Sequence, residues 1–242
     1  MPATAETNDI RAVVFDFFGT LTCAMRRGPA HERVARGLGC DVAAFDRALD
    51  DTFVARAVGA LGDPFETLAA VAVRAGASRP GTLALRQANA DRIAAVRADI
   101  RLRPDAVTVL TALRRSGLRT AVVSDCTDEL PLIWPDLPVS TLVDARVFSI
   151  EERRHKPDRA LYRAAAGRIG VDEAHCLYVG DGGGHELTGA EAAGMTVRRL
   201  AADDLGAHLV FGADEWRGPV VHTLTDVADL VDADRAVHLL VA

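Results

Sequence analysis

After a polar lead, the chain runs through a nearly continuous apolar stretch, Ile10–Phe15, and stops at a carboxylate, Asp16. A Val-rich run with little polar alternation predicts a central strand of a parallel sheet covered on both faces. A glycine-containing turn, Phe17-Phe18-Gly19-Thr20, follows at once. The pattern then changes to a helical period. Val42, Phe45, Leu49 and Phe53 recur at three- and four-residue spacing behind Asp41, a suitable N-cap. Phe65 and Leu68 repeat the pattern behind Asp63-Pro64, and the alanine-rich stretch 82–98 extends it with a noisier period. No strand pattern occurs between about 25 and 98, so this segment reads as a purely helical insertion.

Strands and helices then alternate. Pro104–Ser116 reads as a helix closed by Gly117, and Thr120–Val123 as a short strand ending at Ser124. Leu142–Phe148 is a third strand, and Pro157–Ile169 a helix with proline in its first turn and Gly170 after its last. Cys176–Val179 and Met195–Leu200 are further strands, with Val220–His222 an edge strand. The fold class this predicts is α/β: a doubly wound parallel-sheet, Rossmann-like core with an inserted all-helical domain. The expected boundaries are a tail at 1–9, the core at 10–23 and 99–242, and the insertion at 24–98. The loop around Trp216 and Gly218-Pro219 carries no assigned function.

Composition narrows the function. The 242 residues are 49% hydrophobic, enough for a full core, and carry a formal charge of −6 with no basic run. Nucleic acid is therefore not expected as a partner, since phosphate-backbone binding rests on clustered Lys and Arg. No apolar stretch reaches membrane-spanning length, so no membrane partner is expected either. The four cysteines form no Cys-x-x-Cys pair, which predicts a reduced, cytoplasmic protein without a disulfide framework or zinc site. Among 28 basic residues there is a single lysine, Lys156. An ammonium and a guanidinium are not interchangeable, so a chain that uses arginine elsewhere points to this position.

In doubly wound sheets ligands bind at the carboxyl ends of the strands. Asp16, Ser124 and Asp181 each fall within two residues of a predicted strand end, and Lys156 opens the helix after the third strand. Each has a plain alternative: a backbone cap for Asp16, a helix N-cap for Ser124, a solvated lysine. Their convergence on one rim is harder to explain structurally.

The order Asp-x-x-Gly-Thr, strand-end Ser, Lys-Pro-Asp, then Gly-Asp with an acid five residues later resembles the haloacid dehalogenase-like hydrolase superfamily, in its cap-bearing, phosphatase-like branch. The resemblance covers nearly the whole chain, with the insertion as the cap. It implies that Asp16 is a nucleophile forming an aspartyl-phosphate that water then cleaves. It also implies a Mg²⁺ held by Asp16, Asp181, Glu186 and the backbone carbonyl of Phe18. Lys156 would meet the nucleophile and phosphate oxygens. The Ser124 hydroxyl and the amides of Phe17 and Phe18 would donate to the phosphate. Asp125 would bind a substrate hydroxyl or amine. Arg26, Arg27 and Arg33 could reach a second anionic group, or simply be solvated. The implied partner is a small phosphorylated substrate; the oligomeric state is left open.

One position departs from that pattern. Most phosphatases of the superfamily have Asp two residues after the nucleophile as general acid and base, a role worth 10²–10⁴-fold in rate. Here the residue is Phe18. A substrate with a good leaving group would need less proton transfer, and His185 has an intrinsic pKa suited to it, although a solvent-exposed or core-bonded histidine is the plainer reading. The 2-haloacid dehalogenases of the superfamily also carry an aromatic residue at this position, which makes carbon–halogen hydrolysis the alternative. Their second and fourth motifs lack the carboxylates of Asp125 and Asp181, which would repel an anionic substrate without a cation. A non-catalytic Mg²⁺- and anion-binding protein is a third reading. A Schiff-base mechanism through a cap lysine is excluded, because no lysine occurs between 22 and 98.

Overall fold

A computed structural model describes residues 9–208, 212 and 214–241; the tail expected at 1–9 lies outside them apart from Asp9. Among the described residues, β1 (Ala12–Phe15), β2 (Arg119–Ser124), β3 (Ala145–Phe148), β4 (Cys176–Gly180), β5 (Thr196–Leu200) and β6 (Val220–Val221) form one sheet. Its order is β3-β2-β1-β4-β5-β6, and every pairing is parallel. Between β1 and β2 lie α1 (Pro29–Gly37), α2 (Val42–Asp51), α3 (Phe53–Ala57), α4 (Pro64–Arg74), α5 (Thr82–Asp99) and α6 (Ala106–Arg115). Then come α7 (Glu129–Ile133) after β2, α8 (Ser149–Glu152) and α9 (Arg159–Ile169) after β3, α10 (Glu186–Ala192) after β4, and α11 (Leu224–Val241).

β1 lies inside the sheet and is buried on both sides. Val13 and Phe15 join one core with Leu110 and Leu113 of α6 and Leu224 and Val227 of α11; Ala12 and Val14 join a second with Leu161, Tyr162 and Ala165 of α9. Two covered faces are why this strand reads as continuous rather than alternating. Burying each of its large side chains contributes about 1.5–3 kcal/mol.

The inserted helices hold a core of their own, which includes Val34, Phe45, Leu49, Leu68, Val71 and Ala88. Asp41 caps α2 by accepting from the Ala44 amide at 2.9 Å, and Asp63 and Glu66 cap α4 reciprocally. The period of α5 is noisy because its buried stripe is Ala88, Arg92, Ala95 and Val96, a small-residue face with an arginine in it.

Several boundaries differ from the sequence expectation. The helix expected from Pro157 begins at Arg159, because the Asp158 carboxylate caps the Ala160 amide at 2.9 Å. The strand expected from Leu142 begins at Ala145, since the tight turn Pro138–Thr141 runs into Leu142. α11 has no counterpart in the sequence reading, which stopped at the β6 segment. No helix among the described residues is long and apolar enough to cross a membrane.

A buried ion pair straps the insertion to the sheet domain. Arg92 Nε of α5 donates to Glu129 Oε1 of α7 at 2.7 Å, and the Thr127 hydroxyl donates to Oε2. Burial alone would raise the Glu129 pKa, but Arg92, the Thr127 hydroxyl and Arg56 outweigh it and hold the carboxyl at about 2. A depressed folded-state pKa gives stability that is complete above the ordinary value of about 4.5 and is lost as pH falls toward 2. The stake is of order 3 kcal/mol. Denaturant titrations at pH 7 and pH 3 should therefore show a smaller pH-dependent loss in Glu129→Gln than in wild type. The variant should already be less stable at pH 7, by about 3 kcal/mol, because Arg92 loses its buried partner. Equal pH slopes in the two proteins would refute the assignment.

Candidate active site

The sheet order reverses at β1, which leaves a crevice at the carboxyl ends of β1 and β4. Asp16 follows β1 directly and Asp181 follows β4 directly. Asp125 follows β2, and Lys156 lies between α8 and α9. Together with Phe18 they line one side of a cavity of about 140 Å³. The inserted helices supply the other side through His31, Phe53, Arg56, Arg92 and Val96.

Lys156 holds the sheet side together. Its Nζ donates to Asp16 Oδ1 at 2.6 Å and to Glu186 Oε2 at 2.5 Å, and its backbone N–H donates to Asp125 Oδ1 at 3.0 Å. Glu186 is fully buried and also accepts from the Tyr178 hydroxyl at 2.8 Å and the Gly182 amide at 2.9 Å. Asp16, Asp181 and Glu186 each bring a carboxylate oxygen within 4.8 Å of the others. Burial and then the Glu186 charge push Asp16 up to about 7, against the pull of Lys156. Burial, Glu186 and Asp16 push Asp181 well above the usual carboxylate range. Lys156 moves the other way: burial would lower it, but Asp16, Glu186 and Asp125 hold it charged. Three buried carboxyls, with the half-buried Asp125 beside them, thus surround one ammonium. That surplus of oxygen donors suits a hard divalent cation.

The turn after Asp16 is fixed from outside. Arg103, buried, donates to the carbonyls of Gly19 at 2.7 Å and Thr20 at 2.9 Å, and pairs with Asp204 at 2.9 Å. Asp204 in turn accepts from the Ala24 amide at 2.6 Å, and His208 Nδ1 accepts from the Met25 amide at 2.8 Å. That bond leaves the ring proton on His208 Nε2, which faces Asp181 Oδ2 at 3.5 Å.

The structure brings Asp16, Phe18, Asp125, Lys156 and Asp181 to the cavity, with Glu186 buried behind Lys156. Ser124 sits beside Asp125, 1% exposed, and its hydroxyl has no hydrogen-bond partner among the described residues. It caps no helix, since α7 starts at Glu129. Phe17 is fully buried, its ring edge-on to Phe18 and Trp134, and its amide bonds the Asp16 carboxylate. Of the three arginines after the first motif, Arg27 lines the cavity, while Arg26 and Arg33 are exposed. His185 is exposed and outside it. The sequence reading missed Arg56, Arg92, His31 and His208. No motif marks them.

A parallel sheet of this order, with carboxylates and a lysine gathered at its switch point, defines a doubly wound α/β protein with a polar centre at the strand ends. A family model for haloacid dehalogenase-like hydrolases matches residues 10–194, and the chain belongs to that family. Comparison with curated proteins finds no match. Among solved structures, the chain is similar to L-2-haloacid dehalogenase from Xanthobacter autotrophicus, at 23% identity and TM-score 0.65, covering 92% of this chain and 98% of that one. It is similar to 2-haloacid dehalogenase from Pseudomonas syringae pv. Tomato DC3000 at 18% identity and TM-score 0.65, over 93% and 99% of the two chains. A HAD family enzyme from Bacteroides thetaiotaomicron, solved as a variant with magnesium and inorganic phosphate, shares 14% identity at TM-score 0.59, over 79% and 94%. At these identities the likeness is one of fold.

Gly19 packs tightly against the site. Its φ is +81°, and a Cβ there would lie 2.7 Å from Asp181 Oδ2 and 2.8 Å from His208 Nε2. Gly19→Ala should cost about 1–3 kcal/mol in the conformation alone and displace Asp181 or His208 as well. Denaturant unfolding and a structure of the variant would test this; an unchanged site and unchanged stability would refute it.

Proposed function

We propose that this chain is a Mg²⁺-dependent hydrolase of a small phosphorylated metabolite, with Asp16 as the nucleophile. The observation that carries the reading is the crowding of Asp16, Asp181 and Glu186 within 4.8 Å beside a single ammonium. Asp16 and Asp181 would hold the cation, with the Phe18 carbonyl as a further oxygen and Glu186 adding its charge. When bound, Mg²⁺ neutralises charge on the phosphoryl oxygens.

The remaining chemistry belongs to the chain. Lys156 and the Phe17 amide orient the Asp16 carboxylate. Two of the three Lys156 ammonium hydrogens are committed to carboxylates, which leaves the third for a phosphoryl oxygen. The unpartnered Ser124 hydroxyl is a further donor. An Asp16 oxygen attacks phosphorus as the bond to the leaving oxygen breaks, giving an aspartyl-phosphate. Water then attacks phosphorus, releasing phosphate and restoring Asp16. Phe18 cannot protonate the leaving oxygen. Acyl phosphates and anhydrides, whose leaving groups depart as stable anions, fit this site better than alkyl esters do.

Phe18 also favours a second reading, carbon–halogen hydrolysis, because halide leaves without a proton. The surplus of buried carboxylates argues against it.

A screen of phosphorylated metabolites, acyl phosphates and 2-haloacids, with Mg²⁺ and with chelator, separates the two. Expected is Mg²⁺-dependent phosphate release that falls to background in Asp16→Asn. Chelator-insensitive halide release would overturn the reading in favour of dehalogenation. Mg²⁺ binding with no turnover and no beryllofluoride adduct at Asp16 would favour a binding protein. In a folded Phe18→Asp variant, kcat on alkyl phosphates should rise by about 10²-fold, with little gain on acyl phosphates. No gain on either would refute the assigned consequence of Phe18.

A further inference from the structure

The inserted helices place on the same cavity a buried cation that bonds no carboxylate. Arg56 of α3 lines the cavity and is only 5% exposed. Its guanidinium donates to the Leu49 carbonyl at 2.8 Å and the Thr52 hydroxyl at 3.3 Å, both neutral. Among the described residues it pairs with no carboxylate, whereas its two cationic neighbours on the cavity do. Arg92 has Glu129 at 2.7 Å, and Arg27 has Asp50 at 2.5 Å and Asp46 at 3.6 Å.

Burying a charge with only neutral partners is costly, and arginine cannot escape the cost by losing its proton. Burial first, and then Arg92 and Arg27, outweigh the opposing pull of Glu129 and Asp50, neither of which bonds it, and lower the Arg56 pKa to about 9. Phe18, Phe53 and Val96 give the same cavity apolar wall.

We propose that Arg56 is an anion subsite of this cavity, and that the substrate carries a second acidic oxygen group joined to its phosphoryl group by a short apolar spacer. The phosphoryl end rests on the reading in the preceding section; the Arg56 end stands on its own geometry. A carboxylate and a second phosphate offer Arg56 the same oxyanion, bound through a charge-assisted fork.

The test compares a short phosphorylated hydroxy-acid, the corresponding bisphosphate and the corresponding phosphorylated diol on the full chain. At least one of the two acidic substrates should exceed the diol in kcat/KM by about tenfold or more, and which one does distinguishes the sources. In Arg56→Met that preference should vanish through KM rather than kcat. Arg56→Lys, which keeps the cation without the fork, should retain part of it and covers the case in which the Met variant does not fold. Ligand-observed NMR with butanoate and butanamide reads the subsite without turnover. Butanoate should bind wild type and not Arg56→Met, and butanamide neither. If none of these alkyl phosphates is hydrolysed, as the missing proton donor at Phe18 allows, butanoate binding alone decides the subsite. Equal kcat/KM for charged and uncharged substrates, or butanoate binding that survives Arg56→Met, would overturn the proposal.

Discussion

A single ammonium between two buried carboxylates ties the sheet side of this protein into one unit. Lys156 reaches Asp16 behind β1 and Glu186 at the start of α10 at once, joining segments that lie far apart in the chain. Much of the neighbouring sequence follows from that bridge. A side chain at Gly180 would put its Cβ 2.2 Å from Glu186 Oε1. One at Gly189 would meet the Tyr162 hydroxyl at 2.6 Å, the group that donates to the Glu186 carbonyl. Buried ion pairs are weak as net stabilisers because desolvation offsets most of the attraction. Their effect here is to fix position: breaking the bridge would leave carboxylates buried without their cation. A guanidinium is too wide and planar for this role, which explains why an arginine-rich chain keeps a lysine at this one place.

The cavity is electrostatically two-sided. Carboxylates crowd the end built by the strand termini, and arginines line the end built by the inserted helices. The two sides are joined through the Arg92–Glu129 pair, and within the insertion His31 ties α1 to α5: its Nδ1 accepts from Arg92 at 3.0 Å and its Nε2 bonds Asp99 at 2.6 Å. Arg92 only donates, so the His31 ring presents its lone pair at Nδ1 and its proton at Nε2. That chain of partners consumes the charge of Arg92 and leaves Arg56 without an equivalent. The asymmetry between neighbouring arginines carries more information than their number.

The strands of a parallel sheet, the inserted helices and five cavity residues on the sheet side were legible in the sequence because each had a local signal. A doubly covered strand reads as a continuous apolar run, a cap as Asp before a helical period, and a strand-end motif as a carboxylate beside glycine. Arg56, Arg92 and His208 had none. Their position depends on how helices and a late loop close over the sheet, and in a chain with 27 arginines no single one stands out by type. Arg103 was equally silent, although it fixes the turn after Asp16, because its partners are backbone carbonyls that no sequence pattern marks. α11 escaped because its amphipathic period is weak and no motif lies beyond the last strand.

Phe18 is the residue on which sequence and structure have most to say to each other. Read as a missing acid, it is a loss. In the fold it belongs to an aromatic chain: its ring meets Phe17 at 5.0 Å, Phe17 meets Trp134 at 5.5 Å, and Trp134 meets Phe148 at 5.3 Å, all edge-on. Such contacts stabilise by about 0.5–1.5 kcal/mol each beyond simple burial. The chain runs from the cavity wall into the core beneath the sheet, so the aromatic ring at position 18 is anchored by packing as well as by any demand of chemistry. An aspartate there would leave the edge of Phe17 uncovered and add another carboxylate to a cluster already short of cations. The absence of an acid beside the nucleophile is therefore consistent with its surroundings, and the choice of leaving group follows from it.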